Sequence, residues 1–183
     1  MLRIVLKFNI TLRISMVSFF WCIFALKPLN MPLTPSKINT FLFFKLPSAW
    51  FTGVRVKSIN ETTCVTSVRH KWINQNPFKS MFWAVQGMAA ELSTGAMVMA
   101  TIKESDERIS MLVANNKASF SKKAKGRIKF TCEDGIKVKE AIQEAVKTGE
   151  GQTIWMKSQG VDKAGDVVSV FEFEWTVKVK VKK

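Results

Sequence analysis

Histidine, cysteine and acid are all scarce in this sequence. Its 183 residues hold one histidine, three cysteines and 14 Asp plus Glu against 28 Lys plus Arg. Cys22, Cys64 and Cys132 are odd in number, widely spaced and without a CxxC pair, and no histidine cluster accompanies them. That pattern indicates neither a disulfide framework nor a zinc site, and it fits a reducing compartment. No metal or other cofactor is implied. The chain also lacks the Ser-, Pro- and Gln-rich composition of disordered proteins; with 47% apolar and 23% charged residues it reads as one packed domain, two being too many for this length. The formal charge of +14 points to an anionic partner or surface without naming the anion.

Residues 1–30 contain no acid. They carry Arg3, Lys7, Arg13 and Lys27, with the apolar run ISMVSFFWCIFAL between the last two cations. That run is about 13 residues, short of the roughly 20 that a bilayer's apolar core requires. The layout is that of a signal peptide's charged start and apolar middle, but KPLNMPLTPSK offers no small-x-small cleavage site. Three readings stay open: sequence upstream of a start at Met31, a signal or anchor that makes the protein membrane-associated, and a structural extension. Membrane contact is assigned to residues 1–30, and a tethered form would also set the Phe41 to Phe44 stretch near lipid. The domain proper is expected over residues 31–183, in the cytoplasm.

Thr34 followed by Pro35 reads as an N-cap and first helical position, with Ile38, Phe41 and Leu42 at helical spacing until Pro47 ends the segment. From Gly53 the period changes to that of strands, a hairpin turning at Asn60 and Glu61. The Asn-rich stretch HKWINQNPFK is a loop. Then SMFWAVQGMAAELSTGAMVMATI runs almost free of charge, a helix apolar on every side that a wrapped sheet would bury. Arg108 to Phe120 and Gly126 to Cys132 read as strands joined by the basic turn SKKAKG. An amphipathic helix spans Ile136 to Lys147, and two further strands cover Gly151 to Gln159 and Val167 to Val181, the last alternating strictly through Phe171, Phe173, Trp175 and Val177. The expected fold class is α+β, a curved antiparallel sheet around one long central helix.

This order, and the run NPFKSMFWAVQGMAAELSTG in particular, resembles the hotdog thioesterase superfamily, most closely an uncharacterised bacterial family related to the phenylacetate-pathway type of acyl-CoA thioesterase. The resemblance covers residues 31–183. It implies an acyl-CoA or other acyl thioester as substrate, a homodimer or dimer of dimers, and a site at the dimer interface. In catalytic relatives an Asn in the loop precedes a His-Gly-Gly turn, and an acid follows nine positions after the His. Matching the acid to Glu91 sets Phe82-Trp83-Ala84 where His-Gly-Gly would stand and Asn76 at the Asn. The small turn of the relatives lets a backbone N–H approach the thioester carbonyl, so Trp83 either obstructs that approach or reshapes the acyl pocket.

Glu91 is the one ionisable side chain between Lys79 and Lys103. A buried carboxylate without a partner is costly, so it becomes neutral or serves a function. Desolvation would raise its pKa toward the range of a general base, and a hydrogen bond from Asn76 would lower it. The plainer alternatives are a carboxylate that caps a loop or pairs across a dimer, and for Asn76 a turn-former like its neighbour Asn74. Ser93, Ser110 and Ser119 offer hydroxyls that no spacing marks out, and His70 reads as a loop-packing histidine rather than a base. Lys122, Lys123 and Arg127 are the candidates for coenzyme A phosphates, whereas KVKVKK reads as a solvated strand face whose lysines guard an edge. Nucleic-acid binding lacks any accompanying motif. The expected activity is acyl thioester hydrolysis; the alternative is a non-catalytic acyl or acyl-CoA binding protein with Phe82, Trp83 and the methionines as a lipid pocket.

Overall fold

The computed structural model describes residues 33–180, so the leader at 1–30 and the expected end of the last strand at Val181 lie outside the described residues. Helix α1 is Pro35–Lys45; the Thr34 hydroxyl accepts the Lys37 N–H at 3.4 Å, and Pro35 sits in the first turn, where its missing N–H has no intrahelical partner to lose. The helix ends at Lys45, before Pro47 as the sequence suggests, and Pro47 then takes a first-turn place of its own. It opens a second short helix, α2, Pro47–Phe51. Asn39 of α1 exchanges two hydrogen bonds with the Val56 backbone at 2.9 and 3.0 Å, which blunts the neighbouring sheet edge.

Six antiparallel strands follow: β1 Arg55–Ile59, β2 Cys64–Arg69, β3 Ile109–Phe120, β4 Arg127–Cys132, β5 Gln152–Val161 and β6 Val167–Val179. They lie in the order β1-β2-β4-β5-β6-β3. β1 and β2 form the expected hairpin, its turn held by the Asn60 carboxamide oxygen accepting from the Thr62 and Thr63 N–H groups. SKKAKG, read as a turn between neighbours, is instead a crossover. Its Ser121 and Lys122 N–H groups still follow the Val168 carbonyl of β6 before the chain leaves for β4, and β3 is left as an edge strand paired only to β6.

The sheet curls around helix α3, Trp83–Glu104. Helix α3 buries Val85, Ala89, Ala96 and Val98, and hydroxyls bridge it to the sheet. Thr66 donates to the Ala89 carbonyl at 2.7 Å, Ser93 and Ser158 share a bond of 2.7 Å, Ser169 donates to Gln86 Oε1 at 2.9 Å, and Trp175 Nε1 donates to Thr94 Oγ1 at 3.0 Å. Each removes the cost of burying an unpaired polar group. The helix is not covered all round, as its composition suggests: Trp83 and Glu91 are exposed.

Helix α4, Gly135–Thr148, packs on α3 and β5. A Cβ at Gly135 would lie 2.1 Å from the Glu61 carbonyl oxygen, so only glycine lets this helix start against the β1–β2 turn. Cys64 and Cys132, far apart in sequence, are direct cross-strand partners on β2 and β4. Both are free and buried, and burial pushes each thiol up to about 12.

Candidate active site

The middle of α3 turns Glu91 away from the sheet. Together with Met88, Leu92, Gly95 and Met99 it forms one wall of a cavity of about 370 Å³. Trp175 and Met111 of the sheet form the floor, and α1 and α2 close the roof with Phe41, Leu42, Leu46 and Ala49. Gly95 widens the floor, because a Cβ there would stand 3.0 Å from the Trp175 ring. Glu91 is the single acid among the described lining residues. Its tip reaches solvent, yet the apolar walls withdraw enough water to hold its carboxyl above the ordinary carboxylate value. Among the described residues nothing donates to or pairs with that carboxylate. A carboxylate without a partner among the described residues, beside an apolar chamber, is able to accept a proton when ionised.

Asn76 serves a turn. Its carboxamide oxygen accepts from the Phe78 N–H at 3.0 Å and from the Ser80 N–H and hydroxyl at 3.2 Å, closing a loop in which Lys79 takes φ 57°. The side-chain amide of Asn76 donates to no described residue. Asn74, which the sequence treats as a second turn residue, is the buried lock of the loop, donating to the Thr52 and Arg69 carbonyls at 2.9 Å each and accepting the Lys71 N–H at 2.8 Å.

Phe82 is the N-cap of α3 and supplies no side-chain cap to its first turn. Phe82 and Trp83 are 44% and 58% exposed, their rings 5.9 Å apart edge to face, and Ala84 is half-buried behind them. None of the three lines the cavity. The apolar lining comes from methionines, as the binding alternative expects, with Met88, Met99 and Met111 all in the wall or floor, and from α1 and Trp175, which sequence reasoning does not place there. The signal for them is α1, apolar on both its faces and therefore in need of two apolar neighbours.

Lys122 Nζ bridges Asp162 and Asp166 at 2.9 and 2.5 Å, raising its own pKa and lowering that of Asp162 through these bonds. Its charge thereby joins the crossover to the β5–β6 turn, whereas Lys123 and Arg127 are exposed, the latter reaching Ser67 Oγ at 3.4 Å. Ser93 is spent on Ser158 and on the Ala90 carbonyl, and Ser110 on the Lys178 carbonyl. Ser119 lies on the edge strand, exposed. The His70 backbone N–H donates to the Gly126 carbonyl at 2.6 Å, and its buried Nε2 has no partner among the described residues. No group of three or more His, Cys, Asp or Glu among the described residues is placed to hold a metal ion, and no described helix is long and apolar enough to cross a membrane.

A curved antiparallel sheet wrapped on one long helix, with an acid on the helix's uncovered side, is the hotdog fold of the thioesterase-related proteins. Within that class the chain belongs to the family called Domain of unknown function (DUF4442), whose model matches residues 35–177. Among solved structures it resembles a Pseudomonas aeruginosa protein of unknown function described as a probable thioesterase, with 21% identity over 82% of this chain and 99% of that one and a TM-score of 0.68. A Haemophilus influenzae thioesterase matches at 12% identity, 84% and 96% coverage and a TM-score of 0.61. The E. coli PaaI protein from the phenylacetic acid degradation operon matches at 12% identity, 79% and 91% coverage and a TM-score of 0.55. At these identities the likeness concerns the fold. No curated protein matches the sequence.

Proposed function

We propose that this chain is an acyl thioester hydrolase of the acyl-CoA thioesterase type, working as a dimer in the cytoplasm. The observation that carries the reading is Glu91, a carboxylate on the cavity wall without a partner among the described residues, whose surroundings hold its pKa up. In this reading Glu91 takes a proton from water as the water oxygen bonds to the thioester carbonyl carbon. The C–S bond then breaks, the thiolate leaves and receives the proton, and the other product is the carboxylic acid. The carbonyl oxygen is met by the uncapped first turn of an α3 helix, whose N–H groups carry partial positive charge.

One protomer does not suffice for this. At about 1.5 Å of rise per residue, Phe82 and Glu91 stand about 13 Å apart along α3, too far to touch one carbonyl. The reading therefore takes Glu91 from one protomer and the first turn of α3, with Asn76, from its partner. The open edge of β3 and the exposed Phe82 and Trp83 suit such a pairing. The acyl chain occupies the cavity, which at about 30 Å³ per water-sized group holds roughly a dozen heavy atoms. Lys123 and Arg127, with Lys122 held by its two aspartates, are the candidates for the phosphates of coenzyme A.

A second reading has its own support. Trp83 stands where relatives use glycine, and the Asn76 oxygen is committed to its turn, both of which suit a non-catalytic acyl-CoA binder. Thiol release from short, medium, long and aromatic acyl-CoAs, measured beside acyl-CoA binding, separates the two. Hydrolysis predicts turnover that drops by about a hundredfold or more in Glu91→Gln with binding retained. Binding without turnover at any chain length overturns it in favour of the binder.

A further inference from the structure

The charge of this protein is unevenly placed. The first acid in the chain is Glu61, and the next is Glu91; before Glu61 stand Arg3, Lys7, Arg13, Lys27, Lys37, Lys45, Arg55 and Lys57. Helices α1 and α2 fall wholly within this acid-free stretch, and they are also where apolar side chains face outward. Phe41, Phe43, Leu46 and Phe51 are exposed, Phe51 by 65%, although Ile38, Leu42 and Ala49 of the same helices are buried. The outer aromatics are organised. Phe43 meets Phe44 at 4.8 Å and Trp50 at 5.3 Å, both edge to face, and the Arg55 guanidinium lies 3.4 Å over the Trp50 ring. Lys37 of α1 and Lys57 of β1 are exposed.

We propose that α1 and α2 form a docking surface for an anionic lipid bilayer, on which the helices lie flat with their outer aromatics at the headgroup level. Aromatic and leucine side chains beside lysine and arginine, with no acid to repel lipid phosphate, are the composition of an interfacial helix. At 11 residues α1 is about 16 Å long, half of what spanning requires, so it lies on the membrane rather than crossing it. The lipid surface is the occupant because the charge is one-sided: a second copy of the same face would set cations against cations. The surface is the outer side of the helices that roof the Glu91 cavity, Phe41 and Leu46 belonging to both, and it does not depend on the hydrolytic reading. Docked this way, the two helices that roof the cavity face lipid.

The test is co-sedimentation of the full chain with vesicles of phosphatidylcholine alone and of phosphatidylcholine containing phosphatidylglycerol. Binding is expected to the anionic vesicles, to weaken with added salt, and to fall at least about tenfold in Phe43→Ser with Phe51→Ser and in Lys37→Glu with Lys57→Glu, thermal unfolding staying as in the wild type. Equal binding to both vesicle types overturns the proposal. So does wild-type binding by both double variants, which would assign the lipid contact to residues 1–30, and so does an aromatic variant that changes only the sedimentation coefficient, which would make this face a contact between copies.

Discussion

The two sides of α3 obey different rules. Toward the sheet every polar group that the structure buries has a partner: Ser93 has Ser158, Gln86 has Ser169, Thr94 has Trp175, and the Ala89 carbonyl has Thr66. Toward the cavity stands Glu91, which has none among the described residues. A fold satisfies hydrogen bonds where it needs stability, because an unmade buried bond costs about 1–3 kcal/mol. Glu91 is exposed and stands outside that rule; what sets it apart is a pKa raised by the apolar walls beside it, and perturbed groups of this kind gather at sites of chemistry. The sheet side holds the helix still, and in the proposed reading the cavity side uses the helix to aim one group.

The comparison breaks first at Trp175, which serves both sides as floor of the cavity and donor to Thr94. Trp175→Ala is expected to lose about 3–5 kcal/mol, read as a lower midpoint in urea unfolding. A loss under about 1 kcal/mol would mean that the floor collapses freely and that the helix is held elsewhere.

A smaller change sharpens the stability side alone. Ser158→Ala removes one partner of the buried Ser93–Ser158 pair, but Ser93 keeps the Ala90 carbonyl at 2.7 Å, so about 1 kcal/mol is expected to go. The pH dependence of turnover should not move, since Ser158 faces away from Glu91. A shifted profile would show that the two sides are electrostatically one site.

Much of the fold was legible because its signals are periodic. The strict alternation of β6 and the nearly charge-free run of α3 survive any uncertainty about neighbours, and the segment from Asn76 to Gly95 carries the family resemblance. What escaped was pairing between distant segments. That β3 joins β6 and leaves an open edge, or that Cys64 meets Cys132 across β2 and β4, is set by which faces the sheet must bury around α3, and no local pattern encodes it. The site was half legible for the same reason. Glu91 announces itself as a lone acid in an apolar run. Its cavity does not, because Leu42, Met111 and Trp175 come from three elements that only the curl of the sheet brings together. Pro47 was read for the helix that ends before it and not for the one it opens, because a proline suits both places and no local pattern marks the second.

Glu91→Gln should give the smallest stability change and the opposite sign. The carboxyl of Glu91 has a higher pKa in the folded chain than in the unfolded one, so between those two values the folded state binds more protons. Stability therefore declines as pH rises through that window, from the ordinary carboxylate value near 4.3 up to the raised one, and is level above it. Glutamine cannot ionise, so the variant should lack this decline and be at neutral pH as stable as the wild type or slightly more so, by less than the Ser158→Ala change because the tip of Glu91 is solvent-screened. The same raised pKa sets the rising limb of wild-type turnover above the ordinary carboxylate range, since only the ionised form accepts a proton. Urea unfolding of both proteins across acid to neutral pH reads the first effect, and the pH–rate profile reads the second. If Glu91→Gln instead destabilised the fold as much as Ser158→Ala, the carboxylate would be holding structure, and the distinction between the two sides of α3 would fall with it.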